Sequence, residues 1–224
     1  MKTLFLDTET TGLHPPRDKL VEVAIVGLDG KVLLNTLVNP GREIRSEAMA
    51  VHHITDDMVA TAPTLEQLWP AIQDIVRDSH LIIYNSAVIT RFFPDRLGCA
   101  RKVTCAMERF ARIYGEWNPK HGNYRWQKLM KAAAHVGYTW EYEAHRALGD
   151  ALAIRAVWKW MEKQDSGEVK AKAPAKKDEE KKVFDEEGSR SIRNIVALME
   201  KGFAIHLELE KAQKELRKRW WSKE

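Results

Sequence analysis

Apolar and polar positions change period along this chain, and the changes mark its elements. Thr3–Asp7, Leu20–Gly27 and Lys31–Val38 are apolar or alternating runs of strand length. Asp29-Gly30 separates the second and third and predicts a tight hairpin. After a loop with a short helix, apolar residues recur at helical spacing from Thr64 to Val76, with Thr64 as the cap and Glu66 and Gln67 in the first turn. His80–Tyr84 (HLIIY) reads as a short buried strand. Helical patterns follow at Thr90–Gly98, Ala106–Tyr114, Trp126–Val136 and Ala147–Lys163. An antiparallel meander followed by alternating helices and strands predicts an α/β domain, a mixed sheet with helices packed on it.

The pattern stops near Gln164. From there the chain reads QDSGEVKAKAPAKKDEEKKVFDEE, with almost no large apolar residue to bury, so 164–188 is expected to be a charged linker. Beyond Ser189, apolar residues return at helical spacing: Ile192, Ile195, Val196, Met199 and Phe203, then Leu209, Ala212, Leu216 and Trp220. The expected organisation is a domain over 1–163, the linker, and an amphipathic helical tail over 189–224 whose stripe packs on the domain, self-associates or binds a protein partner, tethering through the linker being the preferred role.

Composition narrows the class. A net charge of +4 and a pI near 9.0 favour an anionic partner such as nucleic acid. Cys99 and Cys105 form no metal or redox motif, and acidic residues interrupt the first apolar run after three residues. A cytoplasmic protein without a membrane span is the expectation.

Candidate chemistry begins at Leu4-Phe5-Leu6, which runs straight into Asp7, Thr8 and Glu9. On a strand, Asp7 and Glu9 share a face. Acid-x-acid pairs are common on solvated edges. At the end of a buried strand, however, two carboxylates repel each other and are costly to desolvate, and a divalent cation relieves both penalties. Far along the chain, HRALGDALAIRAVWKWM places Asp150 in the first turn of an apolar helix, with His145 just before it. A histidine at such a position is more often a capping or surface residue than a base. With His145 in the preceding loop, both side chains can face one site. Gly115–Lys128 interleaves Trp117, Tyr124 and Trp126 with Lys120, Arg125 and Lys128. That pattern suits single-stranded nucleic acid by stacking and phosphate contact, and equally suits aromatics that pack while the charges are solvated.

DTETTG followed much later by HRALGDA resembles the first and third motifs of the DnaQ-like, DEDDh class of 3′→5′ exonucleases. AMAVHHITDDMV resembles the family's A-x-x-H-G-I-T-x-x-M stretch, with His53 in place of Gly, and Asn85 falls where the second motif begins. The resemblance implies a ribonuclease H-like fold, a mixed five-stranded sheet flanked by helices. It also implies four carboxylates holding two divalent cations, Mg²⁺ or Mn²⁺, one helping to generate hydroxide and the other stabilising the leaving 3′ oxygen. Carried over, Asp7, Glu9 and Asp150 are metal ligands and His145 is the general base. Thr8, Thr10, His52 and Asn85, together with Trp126, are the expected substrate contacts.

The second motif departs from the family. The usual H/Y-N-A-x-F-D reads YNSAVI here, so Ile89 falls where the fourth carboxylate is expected, and isoleucine cannot bind a cation. Asp95 lies too far on, with Pro94 before it, to substitute by a register shift. The expectation is a metal-dependent 3′→5′ exonuclease releasing nucleoside 5′-monophosphates from single-stranded DNA or RNA 3′ ends, with activity reduced at Ile89. The alternative is a weak or silent module that binds such ends and recruits a partner through its tail.

Overall fold

The computed structural model describes residues 1–166; the linker beyond Ser166 and the predicted tail lie outside the described residues. The chain begins with a meander, β1 (Thr3–Thr10), β2 (Leu20–Gly27) and β3 (Val32–Leu37), each antiparallel to the one before. Helices α1 (Ser46–His52), α2 (Asp56–Val59) and α3 (Leu65–Val76) lead to β4 (His80–Ile83), which pairs parallel with β1. Then come α4 (Ser86–Ile89), β5 (Lys102–Cys105), parallel to β4, and α5 (Ala106–Tyr114). A small hairpin, β6 (Trp117–Asn118) and β7 (Asn123–Tyr124), precedes α6 (Leu129–His135) and α7 (Ala147–Asp165). The five-stranded sheet has the order β3-β2-β1-β4-β5, so β1 is central.

Alternation along β1 sorts its residues between two cores. Phe5 faces Ala24, Val26 and Ile82 on the side covered by α5, α6 and α7, with Phe110, Ile154 and Val157 behind them. Leu4 and Leu6 face the other side, with Val23, Ile25, Ile72 and Val76. Phe5, Leu6, Ile25, Ile82 and Ile83 are fully buried, each contributing roughly 1.5–3 kcal/mol of burial free energy. Period two, continued along the same strand, sends Asp7 and Glu9 to the α7 side and Thr8 to the other.

Several predicted boundaries hold. Thr64 caps α3 in a reciprocal arrangement with Gln67, and the sheet is the mixed, helix-flanked one expected. Three elements differ. The helix predicted over Thr90–Gly98 is absent. Pro94 keeps Phe93 extended (φ −102°, ψ 147°), so two 3₁₀ turns stand there, with Asp95, Arg96 and Leu97 at positive φ. The helix instead occupies the preceding four residues, Ser86–Ile89. β5 was not predicted, because Lys102–Cys105 is too short for a clear period. The helix predicted from Trp126 begins only at Leu129.

Candidate active site

Asp7, Glu9 and Asp150 converge at the C-terminal end of β1. Each offers a carboxylate oxygen, and these oxygens lie within 4.8 Å of one another; among the described residues no other such group of three forms. β1 supplies two of the carboxylates on one face, and α7, packed on that face, supplies the third from its first turn. Burial, followed by the charges of Asp150 and Glu9, raises the Asp7 pKa well above the usual carboxylate range. Glu9 is pushed up to about 9 by burial and then by Asp150 and Glu22. Asp150 is pushed up to about 6, again chiefly by burial, with the backbone N–H and charge of His145 pulling the other way. Three clustered carboxylates that resist ionisation together, all hard oxygen donors, fit a divalent cation such as Mg²⁺ or Mn²⁺.

His145 lies in the loop before α7, in the left-handed region (φ 62°), with an exposed side chain. Its backbone N–H donates to Asp150 Oδ1 at 3.2 Å. A non-glycine residue held in this region is strained, and the surrounding contacts must hold it there. Gly149 is one such contact: a Cβ on it would lie 2.4 Å from the Glu143 carbonyl oxygen, so the loop lies directly on the helix.

A fourth carboxylate was missed. Glu22 on β2 is registered opposite Glu9 and shares its face. It is buried, and it accepts from Arg146 Nε at 3.2 and 3.1 Å, from Arg146 Nη2 at 2.6 Å and from the Ala147 N–H at 2.8 Å. It therefore pairs with Arg146 and caps α7 at once. The signal was present in LVEVAIVG, a lone acid in an otherwise apolar strand, where the cost that marked Asp150 applies equally.

The predicted substrate contacts separate. Thr8 points away from the carboxylate face, with its hydroxyl buried and unpartnered among the described residues. The Thr10 hydroxyl donates to the Gly12 carbonyl at 2.7 Å and closes the turn after β1. Gly12 itself packs on buried Asp18, so that a Cβ there would lie 2.6 Å from its Oδ2. His52 is buried, with Nδ1 accepting from the Ile54 N–H at 3.0 Å and Nε2 facing the Thr10 carbonyl at 3.3 Å. Both ring nitrogens are thus taken by backbone, and His52 braces the end of β1 instead of reaching for substrate. His53, where the resembling stretch has Gly, is left-handed (φ 57°). Asn85 is half-buried and left-handed at the start of α4, and Trp126 is exposed. Ile89 packs against the core cluster that contains Leu6 and Ile83 and adds no ligand. Asp95 is exposed and outside the acidic group.

An acidic cluster of this kind, at the end of the central strand of a mixed sheet, suits metal-assisted hydrolysis of phosphodiesters. Residues 4–158 match the sequence model of the exonuclease family, and the chain belongs to that family. It is 37% identical over 159 residues to the uncharacterised exonuclease CP81 of Escherichia phage 186, which covers 66% of this chain and 81% of that protein. It is 28% identical over 161 residues to the DNA polymerase III epsilon subunit of Treponema pallidum, covering 69% and 74% of the two chains. Exonuclease X in complex with 5′-overhanging duplex DNA shares the fold at TM-score 0.58 and 27% identity, covering 74% of this chain and 93% of that one. No helix among the described residues is long and apolar enough to cross a membrane.

Proposed function

We propose that this protein is a 3′→5′ exonuclease that removes nucleoside 5′-monophosphates from DNA 3′ ends. The observation that carries the reading is the gathering of the Asp7, Glu9 and Asp150 oxygens within 4.8 Å, with His145 beside them. Asp7, Glu9 and Asp150 would hold the divalent cation, which when bound supplies electrostatic stabilisation of the charge developing on the phosphate. His145, exposed at the mouth of the site, takes the proton from the attacking water. Water oxygen bonds to phosphorus, the bond from phosphorus to the 3′ oxygen breaks, and the shortened strand leaves with a 3′ hydroxyl that takes a proton from solvent. The epsilon-subunit and exonuclease X likenesses support DNA as the substrate class.

Ile89 leaves the site one carboxylate short of the family set, so we propose slow turnover that Mn²⁺ supports better than Mg²⁺. The test is digestion of 3′-labelled and 5′-labelled strands with either metal. The expected result is stepwise loss from the 3′ end, reduced at least about a hundredfold in Asp7→Ala, the usual cost of one electrostatic catalytic group. Absence of metal-dependent shortening sensitive to Asp7→Ala would leave the alternative that Ile89 favours, binding of 3′ ends without turnover. For organisation, we propose an exonuclease unit over 1–163, a charged linker over 164–188 and a partner-binding or self-associating tail over 189–224, on sequence alone. Leu209→Asp with Leu216→Asp is expected to abolish any concentration-dependent association seen by light scattering.

A further inference from the structure

We propose that the β6–β7 hairpin and Trp126 form a base-stacking platform that grips single-stranded nucleic acid beside the carboxylate site. This deepens the exonuclease reading by adding a second holding point for the same strand.

Three aromatic side chains lie open within ten residues: Trp117 is 53% exposed, Tyr124 38% and Trp126 63%. Aromatic rings of this size ordinarily gain far more from burial than from exposure. Trp117 and Tyr124 face each other across the hairpin as registered partners, in a T-shaped contact with ring centroids 5.2 Å apart. Such a pair engages one ring's edge against the other's face, which leaves ring faces available to bases. Between the hairpin and α5 lies a cavity of about 320 Å³, with Glu108, Arg112, Trp117, Tyr124 and Trp126 among the residues on its walls. Its size and its three aromatic walls suit a planar base, while Glu108 and Arg112 on the same walls balance in charge, so the phosphates fall to the lysines around it.

The charge around the platform favours a polyanion. Lys120, Arg125 and Lys128 interleave with the aromatics. Glu116, the hairpin's carboxylate, is already engaged by Arg125 at 3.5 Å, Lys131 at 3.6 Å and Gln127 Nε2 at 3.1 Å. Among the described residues Lys120 and Lys128 make no ion pair, which leaves them for phosphates.

The platform is also fixed to the catalytic end of the sheet. The Tyr84 hydroxyl donates to the carbonyl of Gln127, the residue after Trp126, at 2.7 Å. Tyr84 follows Ile83, and Ile83 is registered with Leu6, the residue before Asp7. The base of the aromatic segment is therefore tied one strand away from the first carboxylate. A strand whose 3′ end reaches Asp7 carries its preceding nucleotides, those on the 5′ side, away from the carboxylates, where a platform tied this close can take them, and every base offers a ring face, so the grip tolerates any sequence.

The test measures fluorescence anisotropy of 5′-fluorescein dT20 with the full-length protein in EDTA, at several salt concentrations. Trp117→Ala, Tyr124→Ala and Trp126→Ala are each expected to weaken binding about fivefold to a hundredfold, with Trp126→Phe recovering most of the loss. Lys120→Gln is expected to reduce the salt slope by about one. In the cleavage assay, the preference for dT20 over dT3, as a ratio of kcat/KM, is expected to fall at least about fivefold in the alanine variants. Binding of dT20 within twofold of the parent in all three alanine variants overturns the proposal and assigns the patch to a protein contact. An unchanged length preference overturns it as well. A parent that binds dT20 through the hairpin yet hydrolyses nothing overturns the exonuclease reading and leaves this one standing.

Discussion

Arg146 reaches across to Glu22 with two guanidinium nitrogens, while the next backbone N–H, that of Ala147, donates to the same carboxylate. One glutamate on the strand beside β1 thus fixes the position from which α7 departs, and with it the loop that carries His145. Glu22 is buried and Arg146 about one-third exposed, so the pair is partly screened. Glu22→Ala leaves a guanidinium and a helix N-terminus short of their acceptor. The expected cost is roughly 2–4 kcal/mol, read from denaturant unfolding. Glu22→Gln keeps an acceptor for Ala147 and is expected to cost less than Glu22→Ala while still lowering kcat. Equal stability of parent and Glu22→Ala would refute the anchoring role.

The carboxylate cluster makes stability depend on pH in an uncommon direction. Glu9 at about 9, Asp150 at about 6 and the raised Asp7 all hold protons in the folded state that the unfolded chain releases near pH 4. The folded state binds more protons, so the stability they contribute is complete below about pH 4 and is lost as pH rises through the folded values. The metal-free protein is expected to lose melting temperature between about pH 5 and 9. Saturating Mn²⁺ is expected to cancel that loss and to release protons on binding. Differential scanning fluorimetry in EDTA and in Mn²⁺ across this range reads both effects, and a metal-free melting temperature that climbs with pH would contradict them.

His53 occupies a left-handed position at the end of α1, its N–H bonded to the Met49 carbonyl at 2.8 Å and its side chain exposed. Glycine adopts this conformation without steric cost. His53→Gly is expected to stabilise the protein by roughly 0.5–1 kcal/mol, visible as a higher midpoint in urea with unchanged slope.

Gly149 sits inside α7, where alanine is ordinarily better by about 1 kcal/mol. Here the sign is expected to reverse, because the new Cβ would lie 2.4 Å from the Glu143 carbonyl oxygen. Gly149→Ala is expected to destabilise by about 1–3 kcal/mol. It is also expected to reduce kcat more than KM, since the displaced segment carries His145. A variant more stable than the parent would show that the loop yields without cost.

Ile89→Asp separates chemistry from packing. The isoleucine rests on an apolar cluster, so the substitution is expected to lower stability. If the missing carboxylate limits the rate, it is expected to raise Mg²⁺-supported turnover at the same time. Lower stability with no gain in rate would remove Ile89 as the limiting position.

What could be read from the sequence followed from period and cost. Strand alternation predicted that Asp7 and Glu9 share a face, and a carboxylate in the first turn of an apolar helix marked Asp150; the structure brings all three together. Glu22 carried the same cost but lay in a strand buried on both faces, where no alternation singled it out. The segment after Ile89 misled because its apolar residues fall at helical spacing, while Pro94 imposes a constraint on Phe93 that spacing does not reveal. His52 looked available because a sequence does not show that both its ring nitrogens meet backbone.

Asp150 serves two masters with a single side chain. One of its oxygens accepts the N–H that keeps His145 in its left-handed turn, and the same carboxylate completes the acidic cluster. The posture of the proton acceptor and the seat of the cation are thus one mechanical unit. Asp150→Ala removes the charge and also lets go of the loop, whereas Asp150→Asn removes the charge and keeps an oxygen for the His145 N–H, so the pair of variants separates the seat of the cation from the posture of the loop.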